Sequence, residues 1–209
     1  MMEEGVSIPR YQKEEMLSLL SRILQRYRPQ QIVINGDLKH EFSRNLGQEW
    51  DEVNEILDYL SSSAEITVVR GNHDNYLKTI LAKKGIELFD AYEVEGVLFV
   101  HGHKIVSSHA KIRLKVIGHE HPSVLLRDEM GAQIKLPCYI YHRKESILVL
   151  PAFSPLASGT NIVSEWVEYL SPMLRDVDMS EAELYTVSEL GVKYAGTPAH
   201  LFKYDAEML

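Results

Sequence analysis

Four short strings in this chain have the residue types of a metal centre. They are Gly36-Asp37, Gly71-Asn72-His73-Asp74, His101-Gly102-His103 and Gly118-His119-Glu120-His121. A fifth string, Pro151-Ala152-Phe153, lies downstream of them. Carboxylate, amide oxygen and imidazole together suit a borderline divalent ion such as Mn, Fe or Zn better than Mg or Ca. Two such ions ~3.5–4 Å apart clamp a phosphate, generate hydroxide and neutralise the charge that develops on phosphorus. One carboxylate has to bridge them, and Asp37 is the well-placed candidate. His73 lies beside Asn72 and is followed by Asp74. It would protonate a leaving oxygen or stabilise the transition state, with a carboxylate fixing its tautomer. The chemistry such a set would perform is phosphoester hydrolysis.

The elements around these strings are of the kind that position ligands. Met16, Leu17, Leu19, Leu20, Ile23 and Leu24 fall on one side of a helix over residues 13–27. Residues 31–35 read as a strand ending in Gly36-Asp37. Residues 49–61 read as a second amphipathic helix, through Val53, Ile56, Leu57 and Leu60. Residues 66–70 form a β-branched strand ending in Gly71-Asn72, and residues 76–84 a helix closed by Gly85. Strand, helix, strand, helix is the alternation of a parallel α/β sheet.

Residues 97–100, 116–117, 123–127, 134–142 and 147–150 then read as short strands of a second, mostly antiparallel sheet. The tail predicts a helical piece over 165–170 and extended pieces over 183–187 and 200–204. Asp37, Asn72, His101 and His119 each come directly after an apolar run. In α/β sheets, ligands bind beyond the carboxyl ends of strands, where loops converge.

Together, in this order and spacing, the strings resemble the calcineurin-like metallophosphoesterase superfamily. Gly36-Asp37-Leu38-Lys39-His40, Gly118-His119-Glu120-His121-Pro122 and Pro151-Ala152-Phe153-Ser154-Pro155-Leu156 are closer still to its ICC-like branch. The resemblance runs from about Gly5 to the C-terminus. It implies an α/β fold, a four-layer α/β/β/α sandwich, as one domain over residues 1–209. It implies that Asp37 bridges two ions and that Asn72, His101 and His119 complete one site with it. His121 belongs to the other site, and His73, with Asp74, is the catalytic acid or transition-state stabiliser. Mn²⁺ is the expected ion, with Fe, Zn or Ni as alternatives, and attack is by metal-bound hydroxide on a phosphodiester or phosphomonoester.

One element of the family pattern is missing. A first strand ending in Asp-x-His should serve the second ion, but the chain opens Met1-Met2-Glu3-Glu4 and no Asp precedes Asp37. The segment from Glu4 to Arg10 resembles the family segment just downstream of that motif. The expectation is therefore a sandwich lacking its first strand, with one complete metal site and one reduced to Asp37 and His121. The alternative function is a one-metal, non-catalytic scaffold or interaction module. An open sheet edge invites pairing, and a homodimer is one arrangement that would cover it.

Weaker readings accompany these. Asp37 or Asn72-His73-Asp74 taken singly would be turn residues. His103 fits a place beside the ligands or facing solvent, and His40 a place near substrate or in a plain loop. His109, His142 and His200 read as surface or core residues, Phe153 as a lip of the pocket, and Lys111, Arg113 and Lys115 as a solvated strand face. The single cysteine, Cys138, lies in an apolar stretch and reads as core. It allows no intramolecular disulfide, which suits a cytoplasmic location.

A net charge of −8 argues against a broad duplex-binding surface but not against a nucleotide or nucleic-acid end held through metal. No apolar run approaches the ~20 residues a membrane-spanning helix needs.

Overall fold

Ile32-Val33-Ile34 forms the core of the strand that the sequence predicts, β1 (Gln31–Asn35). It pairs in parallel with β2 (Glu65–Val69), Asn35 lying opposite Val69. A short third strand, β3 (Leu88–Phe89), adds in parallel to β2. The computed structural model describes residues 8–38, 46–74, 77–106, 111–128, 130–154, 157, 159–164 and 167–207, apart from the side chains of 8–13, 46–50 and 204–207. His40, His109, Pro155 and Leu156 lie outside the described residues, as does the segment before Ile8.

Three helices cover this parallel sheet: α1 (Ile8–Tyr27), α2 (Leu46–Ser61) and α3 (Leu77–Lys83). Leu24, Val53, Leu57, Leu60, Leu77, Ile80 and Leu81 bury their side chains with Ile66 and Val68 of β2. The helical spacing of these residues is what turns each apolar stripe toward the strands. Leu57 is fully buried, and its burial alone stabilises the layer by roughly 1.5–3 kcal/mol.

The second sheet holds nine strands. They are β4 (Tyr92–Val94), β5 (Val97–Phe99), β6 (Leu114–Ile117), β7 (Pro122–Arg127), β8 (Gln133–His142), β9 (Ile147–Val149), β10 (Thr160–Asn161), β11 (Glu183–Ser188) and β12 (Gly191–Gly196). The order is β10-β7-β8-β9-β6-β5-β4, with β11 also on β8 and β12 on β11. Five of its pairs are antiparallel, and β5–β6, β6–β9 and β10–β7 are parallel. Its core of Leu98, Val100, Ile117, Ile140, Val149 and Leu184 packs against Leu174 and Met179 of the C-terminal segment. The layers are thus helix, sheet, sheet, and a C-terminal layer ending in α4 (Pro198–Glu207).

Two side chains of β1 tie the sheets together. Gln31 Nε2 donates to the Tyr92 hydroxyl at 2.7 Å. Asn35 Nδ2 donates to the carbonyls of Val100 and Val116 at 3.0 and 3.1 Å.

Two expectations for the tail are corrected. Residues 200–204 are not extended but lie within α4. Thr197 Oγ1 accepts from the His200 backbone N–H, and Pro198 occupies the first helical position, a capped start that outweighs the local apolar alternation. Residues 167–170 are not helical, and residues 165–166 lie outside the described residues. The Leu170 N–H, which a helix would have bonded to its own backbone, goes to Glu120 instead. Strands β3, β4, β10 and β12 are additions that the sequence reading lacked. Among the described residues, no helix is long and apolar enough to cross a membrane.

Candidate metal centre

Strand ends deliver the ligands. Asp37 follows β1, Asn72 follows β2, His101 follows β5 and His119 follows β6. Since β1–β2 and β5–β6 are parallel pairs, each pair brings two of these loops to the same end of its sheet. The Asn35 bridge then sets the two ends against each other.

His101 is the hub. It is 2% exposed. Its Nε2 lies 3.2 Å from Asp37 Oδ2, 3.0 Å from Asn72 Oδ1 and 3.2 Å from His119 Nδ1. Its Nδ1 lies 3.1 Å from the Asn35 carbonyl oxygen, which only accepts, so the proton sits on Nδ1. Nε2 therefore faces the cluster. The carboxylate and imidazole atoms of Asp37, His101 and His119 all lie within 4.8 Å of one another.

These atoms fit a divalent ion. Metal–ligand bonds of ~2.0–2.2 Å place neighbouring ligand atoms ~2.9–3.5 Å apart, whether the corners are octahedral or tetrahedral. The observed spacings of 3.0–3.2 Å lie in that range. Two of the four atoms are acceptor oxygens facing His101 Nε2, so positive charge among them is favoured. An ion would supply it, and the same surroundings favour a second proton on His101. Burial opposes that proton, but the bonded Asp37 carboxylate outweighs burial and raises the His101 pKa. Burial works against the Asp37 anion too, and His101 reverses the balance and leaves Asp37 lowered. For His119 the pull of Asp37 is too small to compensate. Burial and the charge of His101 hold it down to about 4, so its ring is neutral at pH 7 and presents a lone pair.

Tight loops make the convergence feasible. Gly36 has φ +87° and packs against the His101 ring, where a Cβ would overlap the imidazole. Gly71 lies against Asp37, and a Cβ there would overlap its carboxylate. Asp37 itself is left-handed, with φ +50°. Its backbone N–H donates to Asp74 Oδ2 at 2.9 Å, and the Gly71 N–H donates to the same oxygen at 2.7 Å. Asp37 Oδ1 accepts from the His73 backbone N–H at 3.0 Å, which turns Oδ2 toward His101.

The structure therefore brings Asp37, Asn72, His101 and His119 to one point. His73 is half-buried beside them, and Asp74, 4% exposed, underpins the loops. The His103 ring lies 5.4 Å from that of His101, tilted by 49°, and burial lowers its pKa. His121 is not in the cluster. It is left-handed, φ +46°, and lines a small cavity with Pro122, Ser123, Pro137, Ala152, Ala157 and Gly159. Phe153 is 44% exposed. His142 is a buried residue with both ring nitrogens bonded, Nε2 to the Asp178 carbonyl and Nδ1 to the Glu145 N–H. His200 is exposed.

Asn35, Glu120 and Ser171 frame the site and were missed by the sequence reading. Only Glu120 left a signal, as a carboxylate between two histidines.

A family model described as calcineurin-like phosphoesterase matches residues 10–164. The crystal structure of a Pseudomonas putida nuclease, MPE, is similar in fold, with a TM-score of 0.65. The two are 21% identical, and the match covers 91% of this chain and 82% of that one. At that identity the likeness concerns the fold alone. No curated protein sequence matches.

Proposed function

The chain belongs to the calcineurin-like phosphoesterase family, and on that premise we propose that it hydrolyses a phosphodiester or phosphomonoester using a divalent ion, Mn²⁺ by preference. The observation that carries this reading is the convergence of Asp37 Oδ2, Asn72 Oδ1 and His119 Nδ1 on His101 Nε2. A divalent ion bound there supplies Lewis-acid polarisation of a phosphoryl oxygen and an acidified water.

The chain's own residues do the rest. Asp37, fixed through Oδ1 by the His73 N–H, keeps Oδ2 on the ion side. His101 has its tautomer set by the Asn35 carbonyl. Asn72 offers an uncharged oxygen, which leaves net positive charge for the phosphate. His73, adjacent to Asn72, gives its proton to the leaving oxygen. His121 contributes to a second ion alongside Asp37. The substrate we infer is a small phosphate ester, such as a nucleotide or a nucleic-acid end, because a net charge of −8 gives no broad basic face for duplex.

The deciding experiment strips the chain with a chelator, reloads it with Mn²⁺, counts bound ions and assays bis-p-nitrophenyl and p-nitrophenyl phosphate. Metal-dependent hydrolysis lost in Asn72→Ala supports the reading. Hydrolysis that survives both chelation and that substitution overturns it.

One observation favours a second reading. Among the described residues the compact His/carboxylate group is that of Asp37, His101 and His119, and His121 stands outside it. A single ion per chain with no hydrolysis of either ester would identify a one-metal scaffold.

A further inference from the structure

Glu120 lies between His119 and His121, and its side chain is fully buried. A carboxylate there is expensive unless its oxygens are bonded. They are. Oε1 accepts from the Leu170 N–H at 3.2 Å and Oε2 from the Ser171 N–H at 3.0 Å. Ser171 is also fully buried. Its hydroxyl donates to the Gly102 carbonyl at 2.7 Å and accepts from the Met173 N–H at 3.3 Å. One short segment is thus bonded to both histidine loops, to 118–121 through Glu120 and to 101–103 through Ser171. The loops also touch directly, since the N–H groups of Gly118 and His119 both donate to the His101 carbonyl at 2.9 Å. This segment lies beyond residue 164, where the family match ends.

We propose that residues 168–174 form a strap belonging to the metal-holding frame, with Glu120 and Ser171 as positioning residues that keep His101 and His119 at ligand spacing. The inference rests on the reading of the cluster as a metal site. The physical reason is geometric. His101 and His119 meet across 3.2 Å from two separate loops. A shift of either loop by a fraction of an ångström alters that separation. The backbone bonds that join the two loops to each other lie at Gly118 and His119, while the Thr160 N–H holds the His121 carbonyl further along. Glu120 and Ser171 close the ring on the downstream side, through residues about 50 and 70 positions away in sequence.

The test compares Mn²⁺ dissociation constants, by calorimetry, for the wild type, Ser171→Ala, Ser171→Thr and Glu120→Gln. Ile147→Ala serves as control, because Ile147 is a core residue at the opposite end of β9 from the site. The expected result is affinity weakened about 10-fold or more in Ser171→Ala and Glu120→Gln, the usual size of such outer effects. Ser171→Thr, which keeps the hydroxyl, should restore part of it, and Ile147→Ala should lower the melting temperature without weakening Mn²⁺ binding. Wild-type affinity in both strap variants overturns the proposal, as does equal weakening in Ile147→Ala.

A metal-free readout separates this outcome from failure of the metal reading itself. The imidazole Cε1–H resonances of His101 and His119 should shift in metal-free Ser171→Ala but not in Ile147→Ala. If the wild type takes no Mn²⁺, the metal reading has failed, and these resonances still decide whether the strap positions the rings. Unmoved resonances there overturn the strap as well.

Discussion

The backbone carbonyl of Asn35 accepts the Nδ1 proton of His101 at 3.1 Å, while the Asn35 side chain holds the carbonyls of Val100 and Val116. One residue of β1 therefore fixes both the tautomer of the hub histidine and the position of the strand ends around it. Asn35→Ala removes two donors from carbonyls at the sheet interface. The expected loss is ~1–3 kcal/mol of unfolding free energy for the two bonds removed, the Val116 carbonyl keeping its bond from the Val100 N–H. Asn35→Asp should be worse despite its equal size, because it points a carboxylate at two carbonyl oxygens. Urea unfolding of the metal-free variants checks the order, and Asn35→Asp as stable as Asn35→Ala would contradict the bridge.

Asp74 and His73 should separate experimentally. Asp74 Oδ2 accepts two backbone N–H groups, those of Asp37 and Gly71, in a buried setting. Asp74→Ala should lower stability by ~2–4 kcal/mol, since hydrogen bonds to a charged group contribute ~1.5–3 kcal/mol each and do not add fully. It should also weaken metal binding by loosening the Asp37 loop. His73→Ala removes only the imidazole and leaves the His73 N–H on Asp37 Oδ1. It should lower kcat at least 100-fold, the usual contribution of a general acid, with metal affinity within about 3-fold of the wild type. Equal effects of the two substitutions on metal affinity would refute the division of roles.

The ligand loops were legible because each joins a short apolar run to a glycine-flanked polar residue, a local signal within a few positions. Asp37 after Ile32-Val33-Ile34 and His119 after Val116-Ile117 are of this kind. Residues that act across the fold left no such mark. Asn35 meets Val116, and Glu120 meets Ser171, only through the packing of two sheets and a returning segment. The same long-range bonding explains the misread tail, because the Leu170 N–H that a local helix would use is taken by Glu120. His200–Tyr204 failed for a local reason. Its apolar spacing fits a strand or a helix, and the capping pair Thr197-Pro198 decides between them.

Cys138 should be inert in the folded chain. It is fully buried, and burial pushes its thiol up to about 12 from an ordinary 9.0. A disulfide reagent at pH 8 should label it only after denaturation. The same shift has a consequence for stability. The unfolded chain loses the thiol proton above pH 9 while the folded chain keeps it, so stability is intact below that value and falls as pH rises toward 12. The slope reaches ~1.4 kcal/mol per pH unit at most. Tyr169, raised to about 12 by burial first and by Glu120 second, adds to the fall above pH 10. Urea midpoints at pH 8, 9 and 10 should decline in the wild type and flatten between pH 9 and 10 in Cys138→Ala. Fast labelling of the native thiol would show that β8 opens.

Metal-linked stability distinguishes the cluster from His121. An ion that binds only the folded chain stabilises it by ~2.7 kcal/mol at a hundredfold excess over Kd. For a chain of this size that is a rise of ~5–10 °C in melting temperature. The rise depends on the atoms that hold the ion. Asp37 Oδ2, Asn72 Oδ1 and His119 Nδ1 converge on His101 Nε2, so His101→Ala should lose it. Asn72→Ala should lose most of it. His121, which lines the neighbouring cavity and is no member of the cluster, should be dispensable for at least half of the rise. Comparing increments rather than absolute melting temperatures removes the separate effect of leaving Asp37 Oδ2 without its His101 neighbour in metal-free His101→Ala. Scanning fluorimetry with and without Mn²⁺ reads all four chains. A rise abolished by His121→Ala but retained by His101→Ala would move the primary ion away from the hub, to the cavity that His121 lines.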